Sequence, residues 1–388
     1  MTTSPASFHS LFLAAWYPNR EDAMSGLFVR KHADAVSAFC QVTVVYVHAG
    51  SQIRQQECVV HYYNKVREII VYYPAGKGWK GKIKKPFAFL KAWRRGLKEV
   101  EGRPSLVHVN ILTRTGIPAL CMKLTKGIPY VITEHWSRYL PSRNSYHGVL
   151  RKLLTRLVVN QAAAVLPITG VLQEAMISHG LKNKNYQVIN NVVDDFFFEP
   201  ATTVVREDAR KHIVHISCFD DEPKNLSGII RVLSRLITER DDFRVTIAGT
   251  GKDAPKIIAL ASSLNIPEDR LQFTGELIPE EIASLLHSAD FFLLFSHNEN
   301  APVVISESLA CGKPVVSSSV GGIPAMINNS NGVLVKPADE DGLKEALHYM
   351  LDHFKDYDAL AIQKQAHEKY SYATVGKTIF ELYRKVVP

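Results

Sequence analysis

A strand-length apolar run, Phe291–Phe295, meets a polar turn, Ser296–Asn300, and then a helix-like segment from about Val303 to Cys311 that stops at Gly312. That order restricts the fold sharply. A short, wholly apolar strand is buried on both faces, and a helix following it at once covers one of them, which is the repeating unit of a parallel α/β sheet. The unit recurs. Strand-length runs at His9–Trp16, Val42–Val47, Leu106–Asn110, Tyr130–Thr133, Ala163–Ile168 and Tyr186–Ile189 form one series. A second series runs through Ile213–Ser217, Arg244–Ala248, Arg270–Thr274, Pro314–Ser318 and Gly332–Val335. Helix-like segments such as Phe28–Phe39, Val149–Asn160 and Leu226–Glu239 stand between the strands. Residues from Phe196 to Lys211 show neither period and read as a linker. The expected architecture is therefore α/β, with two Rossmann-like domains at 1–197 and 198–369 and a last helix within 370–388.

Glu299 and Glu307 stand eight positions apart, the first on the loop after a strand and the second inside the next helix. Both are placed for the crevice at the carboxyl edge of the sheet, where open α/β sheets bind ligands. Asn300, Ala301, Pro302 and Val303 lead into that helix, and its unpaired backbone N–H groups near Ala301–Val304 favour a diphosphate. Carboxylates also accept charge-assisted hydrogen bonds from ribose and sugar hydroxyls. Taken alone, the two residues read more simply as a loop cap or solvated loop position and an exposed helix face.

The longer pattern is more specific. Ser296, Glu299, Glu307, Ala310-Cys311-Gly312-Lys313-Pro314-Val315 and Gly321-Gly322-Ile323-Pro324 together resemble the donor-binding segment of the retaining glycosyltransferases of family 4. That family has the GT-B fold, two Rossmann-like domains whose parallel sheets face a central cleft. The resemblance implies transfer of a sugar from a nucleotide diphosphate sugar to an acceptor hydroxyl, with retention at the anomeric carbon and without a metal. It extends to Gly26, in the loop before the first helix and expected at the diphosphate, and to His135, after the strand Tyr130–Thr133 and expected at the reacting sugar. His108 is a lesser candidate. Asn191 and Asp194 match a family turn in which Asn190 stands for Pro and Val192 for Gly. Lys224 matches a cation that meets the diphosphate, but Cys218 occupies the place of the usual partner Arg, with Arg20, Arg30 and Lys31 as possible substitutes. Catalytic roles therefore fall on His135, Glu299 and Lys224.

Gly249-Thr250-Gly251-Lys252 invites two other readings and satisfies neither. A phosphate-binding P-loop needs Gly where Thr246 stands and Ser or Thr where Asp253 stands. The dinucleotide fingerprint lacks its acidic residue at the end of a following strand. A tight turn near the nucleotide base, through Gly249 and Gly251, fits better. The acidic pairs Asp194-Asp195, Asp220-Asp221 and Asp241-Asp242 are adjacent rather than spaced, so no metal site is expected and no cofactor beyond the sugar nucleotide.

Composition bears on partners and compartment. The chain has 388 residues, 46% of them hydrophobic and 22% charged, with a net charge of +8. That balance suits a soluble enzyme whose partners carry phosphate. Five scattered cysteines without a CxxC pair fit buried, reduced thiols. Leu11–Trp16 reads as a first strand rather than a signal peptide, which points to the cytoplasm. Between Gly76 and Lys98 nine Lys or Arg and four aromatics occur without an acid. After Pro86, Phe87, Leu90, Trp93 and Leu97 recur at helical spacing, which suits either packing on the first domain or binding to an anionic membrane. No nucleic-acid motif accompanies the charge. The expected acceptor is a glycan or a lipid-linked molecule in bacterial surface polysaccharide or glycolipid synthesis, with the protein at most peripheral to the membrane. The alternatives are a non-catalytic nucleotide-sugar-binding protein of the same fold, for which Cys218 argues, or a nucleotide-sugar 2-epimerase.

Overall fold

The computed structural model describes residues 8–76, 78–112, 114–141, 143, 145–199 and 209–387, with the backbone alone over 78–85. The chain divides into two compact units, one running to Val192 and taking in the chain from Tyr372 onward, the other Val193–Ser371. The division thus falls a few residues ahead of the 197/198 boundary expected from the linker.

The first unit holds a seven-stranded sheet. Its strands are β1 (His9–Ala14), β2 (Gln41–Gly50), β3 (Glu57–Tyr63), β4 (Val66–Pro74), β5 (Leu106–Asn110), β6 (Tyr130–Glu134) and β7 (Ala164–Pro167). Their order is β3-β4-β2-β1-β5-β6-β7, parallel throughout except for β3 on β4. Leu11 in β1 sits between Thr43 of β2 and Val107 of β5. The chain therefore steps outward from β1 on one side and returns to its other side at β5. That reversal opens a crevice at the carboxyl ends of β1 and β5.

The second unit holds β8 (Lys211–Ile216), β9 (Phe243–Ala248), β10 (Leu271–Gly275), β11 (Phe291–Leu294), β12 (Val315–Ser318) and β13 (Gly332–Val335). All are parallel, in the order β10-β9-β8-β11-β12-β13, so the reversal here lies between β8 and β11. Phe291, Phe292, Leu293 and Leu294 are fully buried, as a strand covered on both faces requires. The helix Leu226–Glu239 supplies one cover, turning Ile229, Leu233 and Leu236 into the core.

The helix Tyr372–Val386 belongs to the first unit. Its Gly376 lies so close to the helix Leu27–Ser37 that a Cβ there would stand 2.2 Å from the Ala35 carbonyl oxygen. Val375, Ile379 and Leu382 fill the contact.

Three local expectations change. The hairpin β3–β4 has no counterpart in the expected strands. β4 is buried along nearly its whole length, but β3 is an exposed edge without strict alternation, and no helix separates β2 from β3. Conversely, Tyr186–Ile189 forms no strand; it runs along β7 with a single bridge to Val165 and hydrogen bonds such as Gln187 N to Val165 O at 3.0 Å. The helix Gly78–Lys98 splits the apolar stripe expected of it. Trp93 and Ala92 are buried, and Gly96 lets the helix press on Val45 and Val71, whereas Phe87 and Leu90 are 73% and 54% exposed.

Candidate functional site

In the second unit the groups that matter follow β8 and β11, the two strands at the reversal. A four-residue helix, Asp221–Lys224, ends at Lys224 because Asn225 turns left-handed (φ 51°). This presents the ammonium to the loop after β11. Lys224 Nζ lies 2.5 Å from Glu299 Oε1, and Ser296 Oγ donates to the same oxygen at 2.8 Å. The two loops are also tied through backbone, His297 N donating to the Pro223 carbonyl at 2.8 Å. Ser318 Oγ, at the end of β12, donates to the Ser296 carbonyl at 2.5 Å. Glu299 is thus a carboxylate held from several directions, with 9% of its side chain exposed.

The glycines beside it have steric causes. Gly321 (φ 54°) passes the Glu299 carbonyl so closely that a Cβ would fall 1.8 Å from its oxygen. Gly249 (φ 131°) stands likewise against the Ser217 carbonyl, and a Cβ on Gly251 would meet the Phe219 backbone. Gly249 and Gly251 therefore let the loop after β9 lie directly against the loop after β8. Cys218 on that second loop is an exposed free thiol, as is Cys121, so the expectation of buried thiols is corrected: of the five only Cys311 is buried.

Asn300, Ala301 and Pro302 lead into the helix Val303–Ala310, whose N-cap Pro302 gives no side-chain cap. Val303 and Val304 begin the helix with N–H groups that lack intrahelical acceptors, a setting for an anion. Glu307 sits half-buried on that helix. Behind the pair, His215 is fully buried between the Leu293 carbonyl (2.9 Å) and Ser217 Oγ (2.7 Å). Burial pushes its pKa down to about 4. It is a neutral strut that the sequence reading missed.

In the first unit Gly26 (φ 64°) is the N-cap of the helix Leu27–Ser37. A Cβ there would lie 2.4 Å from the Trp16 carbonyl, so the glycine is demanded by the close passage of the loop after β1. His135 follows β6 and is buried, its ring 4.3 Å from Phe28 and 5.3 Å from His32 between centroids. Burial, reinforced by His32 and His108, holds its pKa well below the usual range. His135 is therefore a neutral imidazole at neutral pH. The neighbouring Glu134 is wholly buried and accepts three backbone N–H groups, from His135 (3.0 Å), Trp136 (2.8 Å) and Leu112 (2.9 Å). It fixes the turn that carries His135.

Other candidates are absorbed by the fold. His108 is fully buried between Tyr383 Oη (2.5 Å) and Thr133 Oγ1 (2.6 Å), which excludes it as a ligand group. Arg20 forms an exposed pair with Glu57 at 2.7 Å, and Arg30 pairs with the buried Glu68 at 2.8 Å. Among the described residues no cluster of three or more His, Cys, Asp or Glu is placed to hold a metal, and no helix is long and apolar enough to cross a membrane.

The first unit also contains a cavity of about 700 Å³ at the carboxyl ends of β1 and β5, bordered by Trp16, Trp93, Trp136, Arg114, Arg138 and Arg151. It lies at the reversal of strand order, and its mixture of aromatic and guanidinium groups is that of a binding pocket. None of these six residues was a sequence candidate for a binding pocket; only the strand order brings them together.

Comparison with known proteins adds the following. Residues 203–367 match the family described as Glycosyl transferases group 1, and residues 27–195 match Glycosyltransferase Family 4, so the two together span most of the chain. The N-acetyl-alpha-D-glucosaminyl L-malate synthase of Bacillus anthracis is 29% identical over 199 residues, 50% of this chain and 51% of that one. The chain thus spans about half the length of that relative. Among solved structures, the sucrose-phosphate synthase of Thermosynechococcus elongatus superposes with a TM-score of 0.76 at 17% identity, covering 98% of this chain and 99% of the other. Anabaena HepE, solved in complex with UDP-glucose, gives 0.72 at 17%, covering 97% and 99%. These likenesses show the fold, which is GT-B.

Proposed function

The chain belongs to the family 4, group 1 glycosyltransferases, and from that premise we propose that it moves a sugar from a nucleotide diphosphate sugar to an acceptor hydroxyl with retention. The observation that carries the reading is the placement of Lys224 and Glu299. Strands β8 and β11 are neighbours at the reversal of strand order, and this joins two loops 75 residues apart at the edge where such sheets take ligands. In this reading Lys224 and the N-terminus of the helix Val303–Ala310 meet the diphosphate, Glu307 takes ribose hydroxyls, and Glu299 orients the sugar. The glycine-bounded loop at Gly249 and Gly251 lies toward the base. Gly26 and His135 keep the roles that the family resemblance implies for the first unit, His135 as a neutral hydrogen-bonding group rather than a base.

The bond from the anomeric carbon to the diphosphate breaks and a bond to the acceptor oxygen forms on the same face, while the leaving phosphate takes the acceptor proton. Fixed donors aimed at the departing diphosphate lower that barrier without a strong base or a metal. HepE, which carries UDP-glucose in its structure, supports a uridine nucleotide as the first donor to try. The proposed role is bacterial surface polysaccharide or glycolipid synthesis at the inner face of the membrane, with a glycan or lipid-linked acceptor. The basic segment 76–98, where Phe87 and Leu90 are exposed, contributes peripheral attachment.

One observation favours a second reading. Cys218 leaves the site with Lys224 but without the family's Arg, as in a protein that binds sugar nucleotides without turning them over. Incubation with UDP-, GDP- and ADP-sugars and a bacterial lipid extract separates the two. Released nucleoside diphosphate with a glycosylated product in the mass spectrum supports transfer, and binding without either product supports the alternative.

A further inference from the structure

The helix Val149–Gln161 has its apolar residues on the wrong side for a helix that only packs on a core. Thr155, Val158 and Val159 face inward, while Val149, Leu150, Leu153, Leu154 and Leu157 are 76%, 71%, 57%, 39% and 48% exposed. At about 100° per residue these five cover an arc of roughly 140°, directly opposite the buried face. Single exposed leucines need no explanation, but a continuous outward stripe marks a docking surface.

Charge indicates what it docks on. From His135 to Gln173 the sequence contains no Asp or Glu and five Lys or Arg: Arg138, Arg143, Arg151, Lys152 and Arg156. The helix Gly78–Lys98 is also free of acids and turns Phe87 and Leu90 outward. Both helices border the cavity, one through Phe89 and Trp93, the other through Leu150 and Leu154. Inside it, Arg138 lies 3.2 Å over the Trp136 ring, and Trp93 Nε1 and Arg138 Nε are buried without a hydrogen-bond partner. Among the described residues Arg114, Arg138 and Arg151 enter no ion pair. An apolar stripe whose only charged neighbours on the helix are cations, beside a cavity of aromatic and guanidinium groups, complements an amphiphile with an anionic head.

We infer that the helix Val149–Gln161 seats the protein in the headgroup region of an anionic bilayer, and that the cavity behind it takes an anionic lipid from that surface. Calling this lipid the glycosyl acceptor, or its anchor, rests on the transfer reaction proposed above; the docking itself does not.

The test uses the full chain and sonicated vesicles of phosphatidylcholine, with or without about 30 mol% phosphatidylglycerol. Three of the four tryptophans, Trp16, Trp93 and Trp136, line the cavity, so brominated phosphatidylglycerol reports occupancy by quenching their fluorescence. Wild-type protein sediments with the anionic vesicles at least about tenfold more strongly than with neutral ones, and the brominated lipid quenches it. Leu153→Ser with Leu157→Ser, two residues outside the cavity lining, lowers that binding by about tenfold or more. Leu360→Ser, a 79% exposed leucine of the second unit, leaves it unchanged. Equal binding of wild type and the double variant, no preference for anionic vesicles, or no quenching overturns the inference. So does a lipid-free dimer, seen by sedimentation velocity, that the double variant abolishes, since the stripe would then be covered by a second copy. A thermal shift with nucleotide diphosphate sugars, run on the same samples, shows that the double variant is folded. It also reports separately on the donor site, so failure of docking and failure of the transfer reading are told apart.

Discussion

Lys224 Nζ and Glu299 Oε1 are 2.5 Å apart, with 19% and 9% of their side chains exposed. A donor diphosphate that draws on Lys224 therefore competes with a carboxylate already in contact with it. In the proposed reading the pair keeps the ammonium in place before the donor arrives, and Glu299 turns to a sugar hydroxyl when the phosphate takes over the cation.

Breaking the pair from one side should cost more than removing both charges. Lys224→Ala leaves Glu299 mostly buried with only Ser296 as a side-chain donor, a loss of about 1–3 kcal/mol. Adding Glu299→Gln should recover part of that loss. Urea denaturation of the two single variants and the double variant measures the coupling, and additive losses would show that the contact carries no coupling energy.

Acid should destabilise both units through buried neutral histidines. His32 and His215 each have a pKa pushed down to about 4 from 6.5, by burial above all. A base whose folded pKa is lowered contributes stability that is complete above pH 6.5 and disappears as pH falls toward 4. The loss is at most about 3 kcal/mol for each histidine. Glu134 has the opposite sign. Burial raises it to about 7 against the pull of its three N–H donors, so its contribution is complete below pH 4.5 and declines as pH rises through 7. Urea midpoints between pH 4 and 8 should fall on the acid side, and His32→Gln should flatten that limb. An unchanged limb would assign the acid sensitivity to other groups.

Gly321→Ala should be poorly tolerated. Its backbone is left-handed, and the new Cβ would stand 1.8 Å from the Glu299 carbonyl oxygen, so the loop bearing Glu299 must move. The expected outcome is a destabilisation of about 2 kcal/mol or more with loss of nucleotide binding. A Tm and nucleotide affinity equal to wild type would mean that the loop relaxes freely.

Most of the strand and helix pattern is visible in the sequence because parallel strands buried on two faces leave unbroken apolar runs such as Phe291–Leu294. β4 carries a similar run in Ile69–Tyr73, but no helix separates it from β3 or β3 from β2, so it stands outside the βα alternation that marks the other strands. The position of Glu299 in its strand-turn-helix unit was likewise legible. Its partner was not, because Lys224 reaches it only through the adjacency of β8 and β11, a property of strand order rather than of any local pattern. For the same reason the sequence marks His135 at a strand end but not its burial against Phe28 and His32. The tryptophan and arginine cavity needs β1, β2, β4, β5 and β6 brought to one edge.

Donor recognition by the second unit is the central claim, and a thermal-shift panel of UDP-, GDP- and ADP-sugars on wild type, Lys224→Ala and Glu307→Ala tests it most directly. One nucleotide class should raise the wild-type Tm, by the equivalent of about 2.7 kcal/mol at a hundred times Kd. Both variants should lose most of that shift while remaining folded in its absence. No shift with any sugar nucleotide, or an equal shift in all three proteins, would contradict the site.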